Sequence, residues 1–140
     1  MRAKRAPRFL PGSGPGQAQL APGGLAIRAI IIDAKHRTIT VTDIDGSVKS
    51  LQQIVGGLIE PVTQGLDEFH HCYVNEEGLH DQPQHFFMFN GGHQPLAGNG
   101  VILSSTDDGD EAPCTLMLDW VTERVTFMNL QAVLQWSRTQ

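Results

Sequence analysis

Oxygen ligands come first among the side chains of this sequence that could do chemistry: the carboxylates of Glu60, Glu76 and Glu77 and the amides of Asn75 and Asn90. If the strand holding Glu60 pairs with one ending at Val74, the Glu60 carboxylate lies near the Asn75–Gly78 turn. Such a group suits Mg²⁺ or Ca²⁺, or two carboxylates working as acid and base. The residues favour a plainer reading. Asn75-Glu76-Glu77-Gly78 is ordinary turn chemistry, with Asn bonding its own backbone and Gly at positive φ, and Glu60 is then a solvated residue at a sheet edge.

Nitrogen and sulfur ligands are present as His70, His71, His80, His85 and His93 with Cys72 and Cys114. Their spacing argues against zinc. His70, His71 and Cys72 are consecutive, so on a strand only the outer two share a face, and no Cys-x-x-Cys or His-x-x-x-His pair occurs. Asp107-Asp108-Gly109-Asp110 resembles the opening of a calcium loop. Counting from Asp107, however, the third position is Gly109 and the twelfth, where a bidentate glutamate belongs, is Leu118. No Gly-x-Ser-x-Gly elbow, no phosphate loop ending in Gly-Lys-Ser or Gly-Lys-Thr, and no His-Glu-x-x-His occurs.

The elements that must position these residues are legible in order. Ile27–Asp33 is a β-branched run expected to be buried on both faces, and Thr38–Ile44 alternates as a strand buried on one; Ala34–Arg37 turns between them. Ser47 caps a short helix with Val48, Leu51, Ile54 and Val55 on one stripe, and Gly56 ends it in a left-handed residue. Leu58–Val62 follows as a strand whose Pro61 places it at an edge. Phe69–Val74 makes another, with Phe69, His71 and Tyr73 on one face and His70, Cys72 and Val74 on the other. Phe86–Phe89 is a strand or a helical turn. Val101–Ser105 is a strand approached through Gly98-Asn99-Gly100, and Thr106–Pro113 is an exposed acidic loop. Thr115–Trp120 alternates as a strand, with Arg124–Phe127 as its partner. Asn129 caps a last helix, with Leu130, Val133 and Leu134 inward.

Val55-Gly56-Gly57-Leu58-Ile59-Glu60, then Val74-Asn75-Glu76-Glu77-Gly78, Asn90, and Gly98-Asn99-Gly100-Val101-Ile102-Leu103 together resemble the small bacterial and phage family catalogued as domain of unknown function number 3846. The resemblance spans roughly residues 26 to 104, and the segment from Cys114 onward departs from it. It implies a setting, phages and mobile elements, and no activity.

Charge narrows the function classes. The chain has 10 basic and 15 acidic residues over 140, a net charge of −5. Arg2, Lys4, Arg5 and Arg8 precede every acid, and no Lys or Arg lies between Lys49 and Arg124, where twelve acids fall. Phosphate contacts rely mainly on Lys and Arg, so the part after residue 24 is a poor candidate for nucleic-acid binding and suits basic partners better. The two cysteines fit free thiols in a reducing cytoplasm, and no apolar run approaches the ~20 residues that cross a bilayer, so a soluble cytoplasmic protein is expected.

The expected architecture is α+β. A curved, mainly antiparallel sheet or partly open small barrel, packed by the short helix and a C-terminal helix, forms one globular domain over residues 25–140, behind a disordered basic Pro/Gly-rich tail, 1–24. The expected function is non-enzymatic: an accessory protein of a phage or mobile element that binds a host protein through an acidic surface, at the loops Glu76–Glu77 and Asp107–Glu111. The alternative is a small-molecule-sequestering protein with a pocket lined by Tyr73, Phe87, Phe89 and Trp120. A cation-dependent hydrolase using Glu60, Glu76 and Asn75 is the third. The binding residues expected are Glu60, Tyr73, Asn75, Glu76, Glu77 and Asn90, with no catalytic residue, metal or cofactor. Phe86–Phe89 and Trp136 fit an exposed homodimer patch as well as a core.

Overall fold

The β-branched run and its alternating neighbour form an antiparallel hairpin, β1 (Ala26–Asp33) and β2 (Thr38–Asp45), paired without a break from Ala26 opposite Asp45 to Asp33 opposite Thr38. The computed structural model describes residues 26–140, so the basic stretch 1–24 lies outside the described residues. The hairpin leads into α1 (Val48–Val55), where Ser47 Oγ accepts the Ser50 N–H at 3.2 Å and Gly56 closes the helix at φ 88°. Leu51 and Val55 are buried beneath it. Val48, expected on the same stripe, is exposed. Its angle around the helix is close to that of Val55, so the cause is its place at the first turn rather than its face.

β3 (Ile59–Val62) then pairs antiparallel with β4 (His70–Asn75), Pro61 opposite Tyr73. β7 (Asn99–Ser105) runs between β1 and β4, and β8 (Glu111–Ala112) pairs with its last two residues. The sheet order is β2-β1-β7-β4-β3, so Pro61 does lie on an edge, where its missing N–H breaks no ladder. A second antiparallel sheet has β5 (His85–Phe89) between β6 (Leu96–Ala97) and β9 (Val125–Asn129). Neither sheet closes into a barrel.

The larger sheet is covered on both faces. Ala29, Ile44, Tyr73, Val101 and Leu103 pack with Leu51 and Val55 of α1. Ile30, Ile32, Cys72, Val74 and Ile102 pack on the other side with Phe87, Phe89, Leu96, Cys114 and Val121. This three-layer α+β arrangement explains why β1 reads as apolar throughout. Of the residues that fitted a dimer patch as well as a core, Phe86, Phe87 and Phe89 are buried, whereas Met88 and Trp136 are half-buried.

The last quarter of the chain departs from the pattern. Residues 115–120 form no strand; Leu118–Thr122 is a short helix, α2, and β9 pairs with β5 instead. Leu116, Leu118 and Trp120 are partly buried against the core, so their period-two pattern is real but records burial without a ladder. The segment is held away from ladder geometry at its start, where Thr115 N–H is bonded to a histidine ring. Asn129 caps the final helix, α3 (Leu130–Arg138), accepting the Ala132 N–H at 2.8 Å, yet no residue of α3 is buried and Leu134 is exposed. Among the described residues no helix is long and apolar enough to cross a membrane.

Candidate functional site

The end of α1 leaves carbonyl groups that need donors from outside the helix. Gly56 and Gly57 both return their N–H groups to Gln52 C=O, at 2.8 and 3.1 Å. Asn99 Nδ2 reaches across from β7 to donate to Ile54 C=O at 3.2 Å. The Asn75 side chain lies over Gly57, where an added Cβ would stand 2.8 Å from both of its amide heteroatoms. Asn75 Oδ1 also accepts the Glu77 N–H at 2.8 Å, and Glu76 N–H donates to Leu58 C=O at 2.7 Å. The Gly-Gly, Asn-Glu-Glu-Gly and Gly-Asn-Gly stretches thus form one corner and hold one another in place. Gly78 has a different role from the one expected. It is not at positive φ; that conformation belongs to Gln82, φ 52°, after the 3₁₀ helix Gly78–Asp81, while a Cβ at Gly78 would press Ala97 Cβ at 3.3 Å.

Beside this corner lies a cleft of about 50 Å³, lined by Glu60, Asn75, Glu76 and Gln94 at its rim and by Val74, Leu79, Leu96 and Ala97. That volume suits a few waters or the tip of one side chain. Glu60, Glu76 and Glu77 are exposed, and so are Leu58 at 57% and Leu79 at 61%. Glu77 comes within 3.8 Å of His80, a solvated pair of little energetic weight.

The other two expected binding residues lie elsewhere. Tyr73 points to the α1 face, buried, with its hydroxyl donating to Glu111 Oε2 at 2.5 Å. Burial first, and then that carboxylate, push the phenol's pKa well up. Tyr73 therefore ties β4 to β8. It shares no pocket with Phe87, Phe89 and Trp120, which pack on the opposite face of the sheet. Glu111, read as solvated loop acid, is half-buried by this contact. Asn90 joins the end of β5 to β9, donating its N–H to Arg124 C=O at 2.7 Å and accepting from Thr126 Oγ1 at 3.2 Å. It borders a separate open groove of about 380 Å³ with Met88, Thr126, Met128 and Trp136.

A buried polar joint lies outside every motif of the sequence. His70, only 3% exposed, faces Asp67 Oδ1 through Nδ1 at 2.8 Å, and its Nε2 accepts Thr115 N–H at 3.1 Å with Thr115 Oγ1 at 3.2 Å. The order hydroxyl, imidazole, carboxylate is that of an activated nucleophile. Here the Nε2 lone pair is already occupied by Thr115's own backbone N–H, so the ring serves as a structural joint. Only an Asp three residues before a His hinted at it. Among the described residues no group of three or more His, Cys, Asp or Glu is placed to hold one metal ion. Cys72 and Cys114 are free and buried, and burial raises both thiols, which makes them poor nucleophiles.

His71 carries a consequence for pH. Its Nε2 is buried without a hydrogen-bond partner, and burial lowers its pKa below 6.5 in spite of Glu111 nearby. The unfolded chain therefore takes up the proton first on acidification. The contribution of the neutral ring is complete above pH 6.5 and is lost as pH falls toward the lowered value. His71→Phe should flatten this part of the profile, read as urea midpoints at about pH 7.5 and about pH 5.5. An unchanged difference between the two midpoints would assign it to another group.

The fold and the corner define a class: a small three-layer α+β domain in which asparagine-anchored turns clamp a helix end to an antiparallel sheet. The chain belongs to the family described as Domain of unknown function (DUF3846), whose model matches residues 27–126. The match runs past residue 104 and through Cys114, so the segment that was expected to depart from the family pattern is part of it up to the start of β9. No curated protein and no solved structure matches the chain.

Proposed function

We propose that this chain is a non-enzymatic accessory protein of a phage or mobile element and that it binds a host protein at the corner beside α1. One observation supports this most. The asparagines and glycines there are engaged in holding the turn, whereas Glu60, Glu76, Glu77, Leu58 and Leu79 project into solvent around a shallow cleft. Carboxylates flanked by exposed leucines suit a partner segment that is basic with an apolar residue among its charges. The loop Asp107–Asp110 is the natural control. β7 runs from Asn99, at the Asn75 end of β4, to Ser104 opposite His70, so this loop and the corner sit at opposite ends of the sheet.

The test is capture from host lysate at several salt concentrations. Reversing Glu60, Glu76 and Glu77 to Lys should cut recovery of the partner by about tenfold or more, with a steep salt dependence in the wild type. Reversing Asp107 and Asp108 should change it little. Equal recovery with the corner reversed would overturn the proposal. A second reading, sequestration of a small apolar ligand, draws on the groove at Met88, Met128 and Trp136, whose volume falls in the range of ligand sites. Native mass spectrometry separates the two: an added mass of a few hundred daltons, lost on Trp136→Ala, would favour the ligand.

A further inference from the structure

The two edges of the larger sheet are built differently. β3 is four residues long and contains Pro61, which blunts it against further pairing. β2 is eight residues long, pairs with β1 without a bulge, and contains no Pro, Gly or Lys. Among the described residues no strand pairs with its outer side. Thr38, Thr40 and Val41 are exposed, Val41 at 41%. A long, regular edge whose charges, Asp43 and Asp45, are confined to its last three residues is a template for another strand.

The sequence of that edge says which strand. Arg37-Thr38-Ile39-Thr40-Val41-Thr42-Asp43 is self-complementary when run antiparallel to itself about Thr40. Within β2, Thr38 then faces Thr42, Ile39 faces Val41, and Thr40 faces Thr40, while Arg37, the last turn residue at φ 56°, stands just beyond the strand end beside Asp43. Moving the register by two residues, the next alignment that keeps a two-fold axis, would set Ile39 against the Asp43 carboxylate with the axis at Val41, so the pattern selects one alignment. The charges at its two ends are also unspent. Neither Arg37 nor Asp43 takes part in any ion pair among the described residues. Arg28 stands opposite Asp43 on β1 but gives its guanidinium to the carbonyls of Cys114 and Leu116, both at 2.8 Å.

We propose that β2 is a homodimer interface, pairing antiparallel with β2 of a second copy about a two-fold axis through Thr40. The interface is isologous, so every contact off the axis occurs twice: two Arg37–Asp43 ion pairs, two Ile39–Val41 contacts and two Thr38–Thr42 contacts, with one Thr40–Thr40 contact on the axis. The two larger sheets become one continuous sheet, and the corner at α1 stays open on each copy, because β2 and β3 are opposite edges.

Charge reversal tests the edge and the register together, by sedimentation velocity over a range of concentrations. The wild type should show a reversible dimer. Arg37→Asp and Asp43→Arg each create two like-charge pairs, and each should raise the monomer–dimer midpoint by at least about tenfold. An equimolar mixture of the two variants restores opposite charges at both ends and should regain a dimer containing one chain of each. Far-UV circular dichroism on each variant alone checks that the fold is intact. A wild type that stays monomeric at every concentration overturns the proposal, as does a dimer indifferent to both reversals. Folded single variants that fail to pair when mixed overturn the register.

Discussion

Gly100→Ala is expected to lower stability by about 1–3 kcal/mol, the usual cost of forcing an extra methyl group into a filled core. Gly100 sits on β7, opposite Ile32 of β1, at a backbone conformation that any residue can adopt. What it lacks is room. A Cβ there would stand 2.6 Å from Cys72 Sγ and 2.8 Å from Phe87 Cζ, and both side chains are fully buried. Phe87 is itself packed edge-on against Phe89 at 5.7 Å between ring centroids, so its ring cannot retreat freely. Phe87→Leu supplies the complementary change. Alone it leaves a cavity and costs about 1–3 kcal/mol; in the Gly100→Ala background it removes the atoms that the new methyl strikes. The two substitutions should therefore be less damaging together than their sum by about 1 kcal/mol or more, in urea denaturation at constant m-value. Strict additivity would mean that the methyl group is accommodated elsewhere.

That close approach marks where sequence reading stopped. Gly98-Asn99-Gly100 was legible as a tight lead into a strand, and the φ of 80° at Gly98 fits it. The reason for Gly100 lies on β5, whose meeting with β7 no local pattern encodes. The same divide runs through the fold. The hairpin, the Ser47 and Asn129 caps, the Gly56 stop and Pro61 at an edge depend on neighbours within a few residues, and each was readable. The pairing of β9 with β5 was not, because residues 115–120 offered a nearer alternating segment as a partner. Alternation reports which side chains are covered, and those residues are covered in alternation without forming a ladder.

The corner was legible by residue type more than by role. Glu60, Asn75 and Glu76 do meet at one cleft, as pairing of their strands required. Asn75 and Asn99, however, spend their amides on the turn and on the helix end. Tyr73 does not share the expected pocket with Phe87, Phe89 and Trp120, and its place on the Phe69, His71 face already separates it from Cys72 and Val74. The sheet stands between them. The self-complementarity of β2 was present in the sequence from the start, but it acquires meaning only once β2 is known to be an unpaired edge.

His70→Leu should cost about 3 kcal/mol, because it leaves partners behind in the core as well as removing contacts. Thr115 N–H loses its acceptor, and the Asp67 carboxylate loses the ring that faces it. The acid profile identifies the second loss. Burial raises the Asp67 pKa, but hydrogen bonds from the His70 ring and from the Phe69 and His70 N–H groups outweigh it and hold the value below 3.8. A carboxyl lowered in the folded state stabilises above its unfolded pKa, and that contribution disappears as pH falls through the lower folded value. In His70→Leu the carboxyl moves back toward its ordinary value. The gap between wild type and variant should therefore be widest near neutrality and narrow below about pH 4. Two further variants separate a joint from a catalytic dyad. His70→Gln keeps a donor and an acceptor on one side chain and should recover part of the loss. Thr115→Val removes the hydroxyl but keeps the backbone N–H that Nε2 accepts, so its cost should stay under about 1 kcal/mol. A large loss on Thr115→Val would move the weight of the joint from the peptide to the hydroxyl and reopen the case for a nucleophile at this position.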